Sequence, residues 1–162
     1  MNIRDVKLED SSQIAEIYNH YILNTHHTFE TKPVEAAEME ERIKEVISDF
    51  PFLVAEEDGK IVGYAYAINF KLRQAYENTS EVSIYVDSDS KQKGIGTLLY
   101  DGLFEELEDL YVHAIVAGIA LPNDPSIKFH EKLGFEKVAH FREIGYKLGR
   151  WIDVGYWELL PK

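Results

Sequence analysis

The sequence predicts a mixed α/β sheet protein rather than a doubly wound alternation of strands and helices. Three observations carry that prediction. Asp58-Gly59 separates two β-rich runs in FLVAEEDGKIVGYAYAINF, a hairpin signal that pairs neighbouring strands antiparallel. The run EVSIYVD passes through KQKGIG into TLLYDGLFEELEDL, a strand–turn–helix unit. Two β-rich runs, KVAHFREIGYKLG and IDVGYWELL, then end the chain with no helix between them.

In order along the chain, Val6 to Ile22 reads as a short turn and a helix, with Asp10 and Ser11 as caps and Ile14, Ile17, Tyr18 and Ile22 at helical spacing. PVEAAEMEERIKEVISDF reads as a second amphipathic helix, with Pro33 in its first turn and glutamates near its N-terminal end, where the helix dipole favours them. The Asp58-Gly59 hairpin follows, then the polar stretch KLRQAYENTS and the strand EVSIYVD. The next helix has apolar positions Ile95, Leu98, Leu99, Leu103, Leu107 and Leu110. HAIVAGIAL is a buried-type strand, and SIKFHEKLGF is a short helix ending at a C-cap glycine, Gly134. The predicted order is β-α-α-β-β-β-α-β-α-β-β, in one domain spanning residues 1–162, with no internal repeat or linker.

The 162 residues are 45% apolar and 12% aromatic, enough for a real core. No apolar run reaches the roughly 18 residues that span a bilayer, and MNIRDVKLED lacks the apolar segment of a secretory signal. Cysteine is absent, which excludes disulfides, thiolate metal sites and a cysteine nucleophile. The expected location is therefore the cytoplasm. A net charge of −12 disfavours binding along a nucleic-acid backbone. His26-His27 has no regularly spaced third ligand, so no metal is expected. Trp151, Tyr156 and Trp157 are expected in core or subunit contacts, and the glutamate-rich helix presents a solvated face.

KQKGIG, residues Lys91 to Gly96, concentrates two cations and two glycines where a strand hands over to a helix. Exposed N–H groups and the positive dipole end at such a point suit a phosphate, and the glycines allow close backbone approach. The nucleotide-binding pattern Gly-Lys-Ser/Thr fails, because GIGTLL has no lysine. The dinucleotide fingerprint fails because Leu99 replaces its third glycine. On these residues alone, a plain structural turn and an anion seat remain equally open.

Wider motifs separate the two. KQKGIG with its helix resembles the pyrophosphate loop of the GNAT N-acetyltransferases, Gln/Arg-x-x-Gly-x-Gly/Ala, with Lys91 replacing the usual Gln or Arg. NDPSIKFHEKLGF resembles that superfamily's later motif, with Asn123, Ser126, Glu131, Lys132, Gly134 and Phe135 in step. IRDVKLEDSSQIAEIYN is similar to its first strand and helix. Within the superfamily, IYNHYI, FLVAEEDGKIVGYAYA, FKLRQAYENTSEVSIYV, LPNDPS and WIDVGYWEL are similar to the phosphinothricin and methionine sulfoximine N-acetyltransferases. His130 stands where many superfamily members have tyrosine, and that branch also has histidine there. The resemblance implies a mostly antiparallel sheet of about seven strands with a splayed central parallel pair, and about four helices.

The implied reaction is acetyl transfer from acetyl-CoA to a primary amine, with no metal. The amine must be neutral to attack, so a general base with a pKa tuned towards working pH is useful, as is a donor for the oxyanion and the departing thiolate. Glu81 matches the branch's catalytic glutamate; by position alone it is a solvated carboxylate at a strand end. His130 has three open roles: base, acid towards the thiolate, or partner orienting Glu81. Ser83, Ile84, Tyr85 and Val86 are implied to bind pantetheine through their backbone, with the N–H near Tyr85 or Val86 facing the thioester carbonyl. Asn123 is implied to contact the same arm. Lys91, Gln92, Lys93, Gly94, Ile95, Gly96 and Thr97 are implied to hold the pyrophosphate.

Lys71, Arg73 and Tyr76 precede Glu81, and the matching segment lines the substrate pocket of the branch, as does the aromatic at Phe29. The two cations could hold a carboxylate and a polar or anionic side chain, or merely solvate a loop. The expected substrate is the α-amine of a small amino acid analogue, and similar proteins are commonly homodimers. Alternatives are another amine, such as a polyamine or peptide N-terminus, or a non-catalytic sensor of acetyl-CoA.

Overall fold

The computed structural model describes residues 1–162. Its elements are β1 (Asn2–Asp5), α1 (Ser11–Asn24), α2 (Ala36–Ile47), β2 (Phe52–Glu57), β3 (Lys60–Asn69), β4 (Thr79–Val86), α3 (Ile95–Asp109), β5 (Ala114–Ala120), α4 (Asp124–Lys132), β6 (Glu136–Lys147) and β7 (Arg150–Leu159). One sheet runs in the order β1-β2-β3-β4-β5-β7-β6, and only β4 and β5 pair in parallel. The predicted element order and mixed sheet hold. No helix is long and apolar enough to cross a membrane.

Period-two alternation distributes the strand residues to two cores. Leu53 and Ala55 of β2, with Val82 and Ile115, meet Leu99, Leu103 and Leu107 of α3 on one face. Phe52 and Val54 meet Ile14, Ile17 and Ile43 of α1 and α2 on the other. The β2–β3 turn has φ of 50° at Asp58 and 79° at Gly59, the doubly left-handed geometry that an Asp-Gly hairpin provides. At the end of α4, Phe135 N–H reaches the His130 carbonyl and Gly134 N–H reaches that of Glu131, a Schellman closure around Gly134 at φ 97°.

Two helix starts differ from expectation. The Asp10 side chain makes no cap bond to α1, because Arg4 grips it at 2.8 and 2.9 Å and the Lys7 N–H donates to it at 2.8 Å. Pro33 lies before α2 rather than in its first turn, since the helix starts at Ala36 after Glu35.

The centre of the sheet opens. β4 and β5 pair only through Thr79↔Ala114, Ser80↔Ile115 and Glu81↔Val116. Beyond that point β4 stays with β3 as far as Val86↔Gly63, while β5 stays with β7 as far as Ala120↔Val154. Each strand keeps its outer partner, so a wedge opens between them.

Candidate active site at the β4–β5 splay

Backbone direction in β4 follows from its ends. Phe70 N–H donates to the Thr79 carbonyl, and Asp87 N–H donates to the Val62 carbonyl. In an antiparallel pair a residue's N–H and C=O face the same neighbour, and the facing alternates. Odd-numbered peptide groups of β4 therefore face β3, and those of Val82, Ile84 and Val86 face the wedge. Val86 is thus the available donor near the wide end, rather than Tyr85, whose peptide belongs to the β3 ladder. The Val86 carbonyl accepts from the Tyr21 hydroxyl.

Side chains alternate the other way. Val82 and Ile84 pack towards α3. Glu81, Ser83 and Tyr85 line a cavity of about 400 Å³ on the α1 side, with Phe29, Ile144, Val154 and Tyr156 as its other walls. A cleft of about 460 Å³ runs from Ser83–Val86 to Gly94, Gly96 and Thr97, and passes Asn123, Phe129 and His130. The two spaces share His27, Ser83, Tyr85, Gly118 and Ala120. They therefore meet where β4 and β5 part.

Glu81 is half-buried, and burial raises its carboxyl above the ordinary carboxylate range; the Lys71 ammonium pulls it back. The Glu81 charge in turn helps to raise the Tyr156 phenol, after burial itself. A half-buried carboxyl whose pKa is held high is suited to taking a proton from an ammonium or an attacking amine.

His130 is buried on α4. Its Nδ1–H donates to the Ser126 carbonyl at 2.8 Å, the i−4 position, and this leaves Nε2 to accept from the Tyr100 hydroxyl at 3.0 Å. Burial lowers its pKa, partly offset by the Ser126 carbonyl. The ring is therefore a neutral imidazole in the cleft wall, with both nitrogens committed away from Glu81.

At the far end of the cleft, Gly94 takes φ 86° as the N-cap of α3 and offers no side-chain cap. The amides of Ile95, Gly96 and Thr97 are left open, which suits an anion. The Ile95 side chain itself is buried in the core, so only its backbone is available. At Gly96 an added Cβ would lie 3.0 Å from Cζ of Phe129, so glycine there also permits α3 and α4 to approach. Lys93 is exposed beside this turn. Lys91 and Gln92 line a separate hollow with Glu57, Asp87 and Asp89, where the Gln92 side-chain amide lies against the Glu57 carboxylate. Asn123 caps α4, its Oδ1 accepting from Ser126 N–H at 3.3 Å.

The loop after β3 is placed differently from expectation. The Lys71 ammonium lies 5.2 Å from the Phe70 ring centre and acts on Glu81 through its charge. Arg73 is exposed, Tyr76 packs edge-on against Phe70, and neither forms a wall of the Glu81 cavity. Phe29 does. The wall residues that sequence reasoning missed are His27, Gly118, Ala120, Ile144 and Val154. The glycine inside HAIVAGIAL was the available signal, because glycine in a buried strand marks close approach of another group. Tyr156, expected in core or contact, is a cavity wall, whereas Trp157 is in the core and Trp151 is exposed.

Comparison with known proteins agrees with this geometry. Residues 3–155 match the family model described as acetyltransferase (GNAT) domain. The phosphinothricin N-acetyltransferase of Streptomyces viridochromogenes is 37% identical over 158 residues, covering 98% of this chain and 86% of that one. The L-methionine sulfoximine/L-methionine sulfone acetyltransferase of Salmonella typhimurium is 34% identical, covering 98% and 94%. The crystal structure of a phosphinothricin acetyltransferase from Sinorhizobium meliloti, in complex with acetyl-CoA, superposes with a TM-score of 0.93 at 34% identity, covering 98% of this chain and 87% of that one. A wedge between β4 and β5, an uncapped glycine turn at its far end and a raised carboxyl at its apex are thus found in a chain that belongs to the GNAT acetyltransferase family.

Proposed function

We propose that this acetyl-CoA-dependent N-acetyltransferase acts on the α-amine of a small amino acid analogue, of the phosphinothricin or methionine sulfoximine and sulfone type. The observation that carries the reading is the meeting of the two cavities at the splay. One holds Glu81, and the other leads to the open amides of α3. The pyrophosphate would lie on the amides of Ile95, Gly96 and Thr97, with Lys93 beside it and Lys91 adding charge from the neighbouring hollow that also holds Gln92. The pantetheine arm would run along Ser83–Val86 and past Asn123. The thioester carbonyl would accept from Val86 N–H, a fixed donor at the place where negative charge develops.

Glu81 takes the proton that the amine loses as its lone pair attacks the thioester carbon. The carbon–sulfur bond then breaks, and the thiolate takes a proton from solvent in the open cleft. His130 holds the Tyr100 hydroxyl in the cleft wall near the sulfur end. His130 itself lines that cleft; in the second reading its Nε2 first takes up a proton from solvent in place of the Tyr100 hydrogen bond and then passes it to sulfur.

The amine-side walls favour a neutral side chain over an anionic one. Phe29, Ile144 and Val154 are apolar, and Arg73 stands outside. Lys71 is the one expected cation whose charge reaches Glu81. The acceptor expected to perform best is therefore methionine sulfone or sulfoximine, ahead of phosphinothricin with its phosphinate.

Residues 1–162 act in this reading as a single catalytic domain in the cytoplasm. Two copies would associate through β6, an edge strand with Val138, Phe141, Ile144 and Tyr146 exposed; a purely monomeric species in sedimentation would refute that assembly. The function is tested by CoA thiol release with phosphinothricin, methionine sulfone and sulfoximine, polyamines and short peptides. Release with methionine sulfone first is expected. Release only with polyamines or peptides refutes the substrate, and saturable acetyl-CoA binding with no release for any amine refutes catalysis.

A further inference from the structure

Lys147 is the buried cation that the reaction does not use. It ends β6, it is 5% exposed, and its Nζ donates to the backbone carbonyl of Thr28 at 2.7 Å. The nearest carboxylate acting on it, Glu30, is already held by both guanidinium nitrogens of Arg42 at 2.9 and 2.7 Å and by the Tyr18 hydroxyl. Burying an ammonium for one carbonyl costs free energy. A methionine of similar length would fill the same space without that cost but would leave the Thr28 carbonyl without its donor, so the lysine is best explained by what it holds.

It holds the segment between α1 and α2. Thr28 is itself buried, with its hydroxyl 2.7 Å from that of Tyr18. Its neighbours in sequence, His27 and Phe29, both line the amine-side cavity. The same β-hairpin grips this segment at two further points. The Phe29 ring lies against Gly145 so closely that a Cβ there would be 2.3 Å from it. Arg150 donates to His26 Nδ1 at 2.8 Å, and His26 Nε2–H donates to the Pro122 carbonyl at 2.8 Å. The β6–β7 hairpin thus fixes the His26–Phe29 segment by Arg150, Lys147 and Gly145 in turn.

We propose that Lys147 is a positioning residue for the acceptor amine: by gripping the Thr28 carbonyl it sets His27 and Phe29 as one wall of the amine site. This rests on the acetyltransferase reading of the two cavities, and it places the control of acceptor fit in the β6–β7 hairpin. Lys147 itself touches neither the splay nor the α3 turn, and of the two residues it sets only His27 also borders the acetyl-CoA cleft, so the amine should sense its loss far more than acetyl-CoA.

The test compares the parent with Lys147→Met and Lys147→Arg in the full chain. Amide hydrogen exchange at residues 25–30 should quicken about tenfold or more in Lys147→Met and return towards the parent in Lys147→Arg. KM for methionine sulfone should rise about tenfold in Lys147→Met, with KM for acetyl-CoA within about twofold. Unchanged exchange in that segment overturns the grip. Quickened exchange with the amine KM unchanged, or with both KM values rising together, overturns the positioning role. If the parent acetylates no amino acid at all, the functional reading is what fails, and the exchange experiment still decides whether Lys147 holds the segment.

Discussion

Replacing Gly118 with alanine puts one methyl group where the two cavities meet. The new Cβ would lie 3.2 Å from Cε1 and 3.4 Å from Cζ of Tyr156, so the ring must yield by a few tenths of an ångström. Gly118 does not need a left-handed backbone, and alanine there lowers the entropy of the unfolded chain by about 0.4–1 kcal/mol in favour of folding. The tight contact offsets a similar amount, so net stability should change by less than about 1 kcal/mol. In a chain of this length that is a shift of about 2–4 °C at most. Transfer geometry is far less tolerant, since a misplacement of about 1 Å between reacting groups can cost ~10²-fold in rate. The expected result is a kcat for methionine sulfone lowered about 30- to 100-fold, with KM for acetyl-CoA within about threefold. CoA thiol release and thermal unfolding measure both sides of this separation. A kcat within threefold of the parent would refute the claim that the acetyl group and the amine meet at Gly118.

Three further outcomes follow from the same geometry. His130→Asn should lower stability by about 1–3 kcal/mol, because the buried Tyr100 hydroxyl loses its acceptor; if the ring only holds Tyr100, its pH–rate profile keeps both limbs of the parent, whereas loss of the basic limb assigns proton donation to the imidazole. Lys91→Glu should raise KM for acetyl-CoA several-fold more than KM for the amine, and the effect should shrink at high salt; since Lys91 is exposed, an unchanged value would remove it from the phosphate site. Glu81→Gln should raise the melting temperature slightly at pH 7: burial raises the folded carboxyl pKa, so the contribution of Glu81 to stability is complete below the unfolded pKa and is lost as pH rises through the folded one. The advantage of glutamine should vanish in acid, and a constant advantage at all pH values would contradict a raised carboxyl.

Much of the fold was legible because local chemistry and the final structure agree. Asp58-Gly59 makes the hairpin it signals, Gly134 closes α4, and the glycine turn starts α3. The turn before α3 was legible for a similar reason, since φ 86° at Gly94 is a local property of glycine. What the residues could not state was where β4 and β5 stop pairing, because that depends on each strand keeping a different outer partner. The amine-side walls were hidden for the same reason: Ile144, Val154 and Tyr156 come from the last hairpin, far along the chain from Glu81. Arg73 misled by being charged and close in sequence, which does not fix where a loop side chain points. Lys147 gave no signal at all, because a lysine near a turn reads as solvated until its partner, Thr28, is known.

The most direct test of the central claim is the pH dependence of kcat/KM for methionine sulfone in the parent and in Glu81→Gln. If Glu81 takes the proton of the amine, the parent loses activity on the acid side at a pH above the ordinary carboxylate range. The variant then loses about 10²- to 10⁴-fold in kcat/KM, together with that acid limb. A variant with the parent's rate and the parent's acid limb would contradict the assignment of Glu81 as the base.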